Sequence, residues 1–228
     1  MRKTSPASAI PPAPRRRAPS RRAIATSLSI LDAAEELFAE RGYDGASVRD
    51  IAAAAGAQIA SISFHHGGKA ALFEKVVERR ADELSKLRLD QLAQLHQADG
   101  QQTLNDILSA FLRPYLEKIA AGDPHWIAYA RLVAMVSADA RWRQIAERCF
   151  DPTANIFIDE IAALFPGVEK SAVAMAFVFS VSAMLSLSTS QWRIEALSGE
   201  APAAATMDAL SDALVRYCEA GLRAALER

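Results

Sequence analysis

Cysteine is nearly absent from this chain, and most metal and disulfide chemistry is excluded with it. The 228 residues hold two, Cys149 and Cys218, sixty-nine positions apart. Neither sits in a CxxC or beside a histidine at ligand spacing, so no zinc site or disulfide scaffold is expected. Two reduced thiols fit a cytoplasmic protein. Net charge is just as scarce: 26 basic residues against 27 acidic leave −1, which argues against a protein that coats nucleic acid through bulk electrostatics. Paired carboxylates, a nucleophile with its base, and a phosphate-cradling glycine loop are also lacking, so no catalytic residue, cofactor or metal is expected. No run alternates with the two-residue period of a strand, and the fold class expected is all-α.

The charge that is present is unevenly spread. Arg2, Lys3, Arg15, Arg16, Arg17, Arg21 and Arg22 all precede the first acidic residue, Asp32, so the rest of the chain carries 19 basic against 27 acidic residues. Residues 1–20, rich in Pro, Ala, Ser and Arg, have no apolar periodicity and cannot repay the entropy of ordering. They are expected to form a disordered basic arm, without the apolar core of a signal peptide.

Beyond the arm, helix follows helix. Ile30, Leu31, Ala34, Leu37 and Phe38 fall on one face of a first helix that stops near Gly42. Ser47 and Asp50 have the spacing of a capping box and open a second. A short third begins near Gln58, and from Lys69 an amphipathic stretch runs through Phe73, Val77, Leu84 and Leu87 to Leu95. Further starts are expected at Thr103, at Asp123-Pro124 and near Asp139. Between the second and third helices, Gly56 accepts the positive φ of a tight reversal. Ile51, Ala55, Ala57 and Ile62 supply apolar contacts there, and Ala52 is small enough for two helices to cross closely. One helix braces and the next is presented. The adjacent His65 and His66 do not read as a metal pair, because neighbours on a helix point about 100° apart and no third ligand is near.

The segments "ILDAAEELFAERGYDGASVRDIAAAAGA" and "FHHGGKAALFEKVV" give residues 27–77 a specific resemblance to the DNA-binding domain of TetR-type transcriptional repressors. The resemblance implies a three-helix helix-turn-helix domain over residues 21–68 and a larger helical effector-binding and dimerisation domain over 69–228. It implies that Gln58, Ile59, Ala60, Ser61 and Ser63 face the major groove, with Ser47, Arg49, Phe64, His65 and Lys69 near the phosphate backbone. Gln suits adenine edges and the Ala and Ile methyls suit thymine methyls. Similar members commonly have Tyr where Phe64 stands and Phe where His66 stands. The first departure removes a phosphate contact; the second weakens the packing of the third helix on the fourth and gives His66 a structural role at the helix end. Arginines of the arm are candidates for an adjacent minor groove.

The C-terminal part contains a stretch without charge, residues 171–189, as long as a membrane span. Five serines from Ser180 to Ser190 favour a core helix shared with a second copy of the chain. Ala176, Ala183, Leu210, Leu214, Tyr217 and Gly221 are the expected homodimer contacts, completing an intermolecular four-helix bundle. Trp126, Tyr129, Met135, Trp142, Phe150, Phe157, Phe177 and Met184 are candidates for an effector pocket. "QWRIEALSGE" and "VVERRADELSKLRLDQL" resemble segments of the fatty-acid-responsive, PsrA-like subgroup, which implies an acyl chain or another hydrophobic carboxylate; an aromatic compound is the other small hydrophobic candidate. Arg113, Arg131 and Arg193 are its candidate anion partners. The expected function is a cytoplasmic, dimeric repressor released from a palindromic operator by a small hydrophobic effector. The alternatives are a membrane-associated helical regulator and a helical enzyme without a recognisable motif.

Overall fold

The computed structural model describes residues 20–98, 100–199 and 207–227, and among these eleven α-helices, one 3-10 turn and no strand are found. The basic arm falls on residues 1–19, outside the described residues. The helices are α1 (Arg21–Gly45), α2 (Val48–Ala54), α3 (Ile59–His66), α4 (Lys69–Gln97), α5 (Leu104–Ala120), α6 (Pro124–Ala138), α7 (Arg143–Cys149), α8 (Asp151–Leu164), α9 (Lys170–Ser190), α10 (Trp192–Ser198) and α11 (Met207–Leu226).

Local chemistry sets most of the helix starts. Ser47 accepts from the Asp50 backbone N–H at 3.1 Å while its own N–H and hydroxyl donate to the Asp50 carboxylate, and Thr103 and Asp106 repeat the arrangement at α5. Asp123 caps α6, whose first residue is Pro124, a position where proline's missing N–H costs nothing. Near Asp139 the chain makes a 3-10 turn, Ala140–Trp142, before α7 begins.

The long helix α4 belongs to two cores. Its first half sends Leu72, Phe73, Val76 and Val77 into a cluster with Ile30, Phe38, Ile51 and Ile62 from α1 to α3. Leu132 and Val136 of α6, Ile145 of α7 and Trp142 close that cluster from the C-terminal side. Its second half sends Ala81, Leu84 and Leu92 into a larger core with α5, α6, α8, α9 and α11. The two cores therefore share α4.

Helix α9 is long and apolar enough to cross a membrane by length and composition. Here Val173, Ala176, Phe177, Met184 and Leu185 pack it into the larger core, leaving Met175, Val178 and Phe179 exposed.

Candidate nucleic-acid interface and effector cavity

The reversal between α2 and α3 depends on Gly56, at φ +61°. No atom would meet a Cβ there, so the requirement is one of backbone conformation alone. Ala57 N donates to Ala52 O at 2.9 Å across the turn, and Ser29 Oγ of α1 donates to Ala55 O at 3.0 Å. These bonds and the burial of Ile62 fix α3 so that Gln58, Ile59, Ala60, Ser63 and Phe64 project outward, with Ser61 and His65 half-buried at its edges. Phe64 is 84% exposed, an unusual site for a large apolar ring.

The flanking residues divide. Arg49 is exposed at the start of α2. Ser47 is also exposed, but its hydroxyl is engaged by the Asp50 cap, and that hydrogen bond holds the Asp50 carboxyl below its ordinary range. Lys69 opens α4 with Nζ 4.4 Å from the centre of the Tyr43 ring, a cation–π contact that ties the ammonium to α1. Lys75 donates to His65 O at 3.2 Å and anchors the end of α3.

His66 is buried, and the weak packing expected of it is replaced by polar contacts. Its Nε2 lies 3.2 Å from Ser27 O and 3.3 Å from Ser27 Oγ of α1. A proton on Nε2 suits the carbonyl and leaves Nδ1 an unpartnered buried acceptor. Burial first, then the Lys75 charge, lowers the His66 pKa from its ordinary 6.5, so the ring is neutral at pH 7.

Head and body meet at an ion-pair cluster not expected from the sequence. Glu35 of α1 is 1% exposed and takes both arms of Arg80 from α4, at 2.9 and 3.2 Å. His125 Nδ1 of α6 approaches the same carboxylate to 2.8 Å, off the hydrogen-bond axis, and Arg79 holds Asp32 at 2.6 Å. Asp32, Glu35 and His125 present ligand atoms within 4.8 Å of one another. Two guanidinium groups already occupy the carboxylates, which makes the cluster an ion-pair network.

In the body, a cavity of about 450 Å³ opens between α4, α5, α6, α8 and α9. Of the eight residues expected to line it, Tyr129, Phe150, Phe177 and Met184 do. The other four do not, each for a packing reason. Met135 and Trp142 turn toward the head core, where the Trp142 ring lies 4.6 Å from Phe73 and 4.8 Å from Tyr43. Trp126 is buried against Tyr129, near Arg80 and Lys118. Phe157 is fully buried behind the wall, edge-on to Phe111 at 5.0 Å. The expected anion partners are elsewhere too: Arg113 pairs with Asp212, Arg193 lies over Trp192, and Arg131 is exposed and lines no part of the cavity. Arg88 is the basic residue in the wall. A wider groove of about 870 Å³, between the α4–α5 and α8–α9 turns and the end of α11, has a more polar lining that includes Gln101, Glu169 and Arg223.

The expected dimer residues also separate. Leu214 and Ala176 are buried in the chain's own core, because the inward seam of α11 is Ser211, Leu214, Val215, Cys218, Leu222 and Leu226. Leu210 and Ala183 are half-buried, while Tyr217, 71% exposed, and Gly221 stand on the outer face. Ala183, Tyr217 and Gly221 join Phe179 along a groove of about 360 Å³ between α9 and α11.

Among solved structures the fold is similar to the fatty acid degradation regulator FadR from Bacillus halodurans, at 17% identity and a TM-score of 0.62, covering 87% of this chain and 96% of that one. It is similar to FadR from Bacillus subtilis in complex with stearoyl-CoA, at 18% identity and a TM-score of 0.63, covering 85% and 98%. A TetR-family transcriptional regulator from Bordetella parapertussis 12822 matches at 16% identity and a TM-score of 0.62, covering 84% and 93%. No curated protein matches the sequence. Residues 30–76 match the family model for bacterial regulatory proteins of the tetR family, and residues 109–221 match that for the tetracyclin repressor-like C-terminal domain. With the head and the body each matched in this way, the chain belongs to the TetR family of bacterial transcriptional regulators.

Proposed function

We propose that this regulator is a dimeric repressor that binds a palindromic operator and is released from it by a small hydrophobic effector held in the 450 Å³ cavity. In this reading Gln58, Ile59, Ala60, Ser61 and Ser63 meet base edges. Arg49, His65 and Lys69 meet phosphates, and the exposed Phe64 ring packs against the sugar-phosphate wall in place of a hydroxyl contact. Ser47 contributes through its position in the cap. The domain from Arg21 to Lys69 carries five basic and six acidic residues, so the basic arm is assigned the long-range attraction to DNA.

The observation that carries the reading is the path of α4. It starts at the reading helix with Lys69, is tied to α1 through Arg79 and Arg80, and passes through the cavity wall at Leu84 and Arg88. A ligand that displaces the wall tilts the same rod that holds the head. Pairing through the exposed faces of α9 and α11 would set two heads on successive major grooves about 34 Å apart. Burial of Phe179, Met175 and Tyr217 against a second copy accounts for three large apolar side chains otherwise left in water. The structure of Bacillus subtilis FadR with stearoyl-CoA supports an acyl chain as the first effector class to test. A regulator of chromosomal DNA is expected in the cytoplasm.

The test is selection of bound fragments from random duplexes by the purified full chain, repeated with Gln58→Ala/Ser63→Ala and with Phe64→Ala. The expected result is one inverted-repeat motif, relaxed at the contacted positions in the double variant and bound about tenfold more weakly by Phe64→Ala, with melting temperatures unchanged. Recovery of no motif would overturn the proposal.

A further inference from the structure

Arg88 is a cation in an apolar wall without an acid beside it. Its guanidinium lies 3.6 Å from the Phe111 ring centre, Nε donates to Phe111 O at 2.8 Å, and a second nitrogen reaches Met184 Sδ at 3.8 Å. Those contacts leave donors of the five-donor fork unused. Among the described residues no carboxylate pairs with it. The phenols nearest in charge, Tyr115 and Tyr129, are neutral: burial pushes Tyr115 up to about 12 and Tyr129 higher still. Tyr115 is joined to Ser188 at 3.0 Å, whereas the Tyr129 hydroxyl has no partner among the described residues. Burial draws Arg88 down to about 10, which leaves it charged at neutral pH.

The cavity has a polarity as well. Phe111, Tyr115, Phe177 and Met184 make its inner end around Arg88, while Asp151 and Asn155 are exposed on its open side. Arg88 is half-buried, and an unpaired cation set against an apolar wall is costly, so a protein keeps one where an anion arrives to pair with it. Resting on the effector reading above, we propose that the ligand is an amphiphile with a free carboxylate, bound head-first so that the carboxylate pairs with Arg88 and the Tyr129 hydroxyl while the apolar tail runs toward the open side. A guanidinium presents two parallel N–H groups that match a carboxylate and fit an ester or thioester carbonyl poorly. A bulky thioester head would also have to pass the apolar length of the cavity first.

The experiment measures binding of decanoate, methyl decanoate and decanoyl-CoA to the full chain by calorimetry, using wild type, Arg88→Met and Arg88→Lys. Wild type is expected to favour decanoate over the methyl ester by roughly 30-fold, the range of a charge-assisted pair. Arg88→Met is expected to bind both equally at the ester's affinity, with Arg88→Lys between. Equal affinity of wild type for acid and ester, preference for the thioester, or a preference that survives in Arg88→Met would each overturn the carboxylate anchor while leaving an effector cavity in place. Absence of binding by all three probes would overturn both. Should Arg88→Met fail to fold, the wild-type preference and its reduction in Arg88→Lys still decide the matter.

Discussion

The two cores that share α4 are built to opposite specifications. The head core is filled: Phe38, Tyr43, Phe73 and Trp142 meet ring to ring at 4.6 to 5.9 Å, and Ala52 lets α2 approach its neighbours closely. The body core is larger but hollow, with a cavity that opens to the surface beside Asp151 and Asn155 and a charge in the cavity wall. A reading surface has to hold its side chains in a fixed register, which dense aromatic packing provides. A sensor needs a core with two arrangements that a ligand can choose between. The charges set into the two cores, buried Glu35 and half-buried Arg88, follow the same division. Glu35, in the seam between head and body, is fully paired, and Arg88 is not.

That contrast can be broken by mutation. The largest effect is expected from Glu35→Ala, which removes the two-armed partner of Arg80 and leaves it only Glu83, at 3.6 Å. A loss of about 3 kcal/mol in urea unfolding is the scale for removing one partner of a buried pair. Arg88→Met, which removes an unpaired charge, should lose less than half of that. Overpacking sharpens the point. Ala52→Leu in the filled head should cost about 1–3 kcal/mol, whereas Ala154→Leu, beside the cavity, should be nearly neutral in stability and abolish decanoate binding. Gly56→Ala comes next, at about 1 kcal/mol for forcing a side chain to φ +61°, with operator affinity falling more than stability does.

The smallest effect belongs to His66 and is read against pH. Its folded pKa lies below 6.5, so beneath that pH the unfolded chain takes up a proton that the folded chain resists. Stability is therefore fully present above pH 6.5 and declines as pH falls toward the folded value. Melting temperatures from pH 7.5 to 5.5 should drop more steeply for wild type than for His66→Phe.

What was legible in the sequence was local. Ser47 with Asp50, Thr103 with Asp106, and Asp123 before Pro124 mark helix starts because a cap is settled within four residues. Gly56 marked the reversal for the same reason, and with it the outward residues of α3. The cavity wall was only half legible. Trp142 and Phe150 are both aromatic and close in sequence, and only the crossing of α4, α6 and α7 sends one to the head and the other to the cavity. On α11 the expected contacts divide, since Leu214 faces inward while Tyr217 and Gly221 face out. Arg88 did leave a signal. It falls four residues after Leu84 and four before Leu92, on the apolar stripe of α4, where its half-buried side chain lies against Phe111 and Met184.

The central claim is that the hollow core and the filled head are coupled through α4, and linkage makes that coupling reciprocal. The most direct measurement is the affinity for decanoate of the free protein and of the same protein saturated with its selected operator. The expected result is binding at least tenfold weaker on DNA, matched by an equal loss of operator affinity at saturating decanoate. Equal affinity in both states would contradict it.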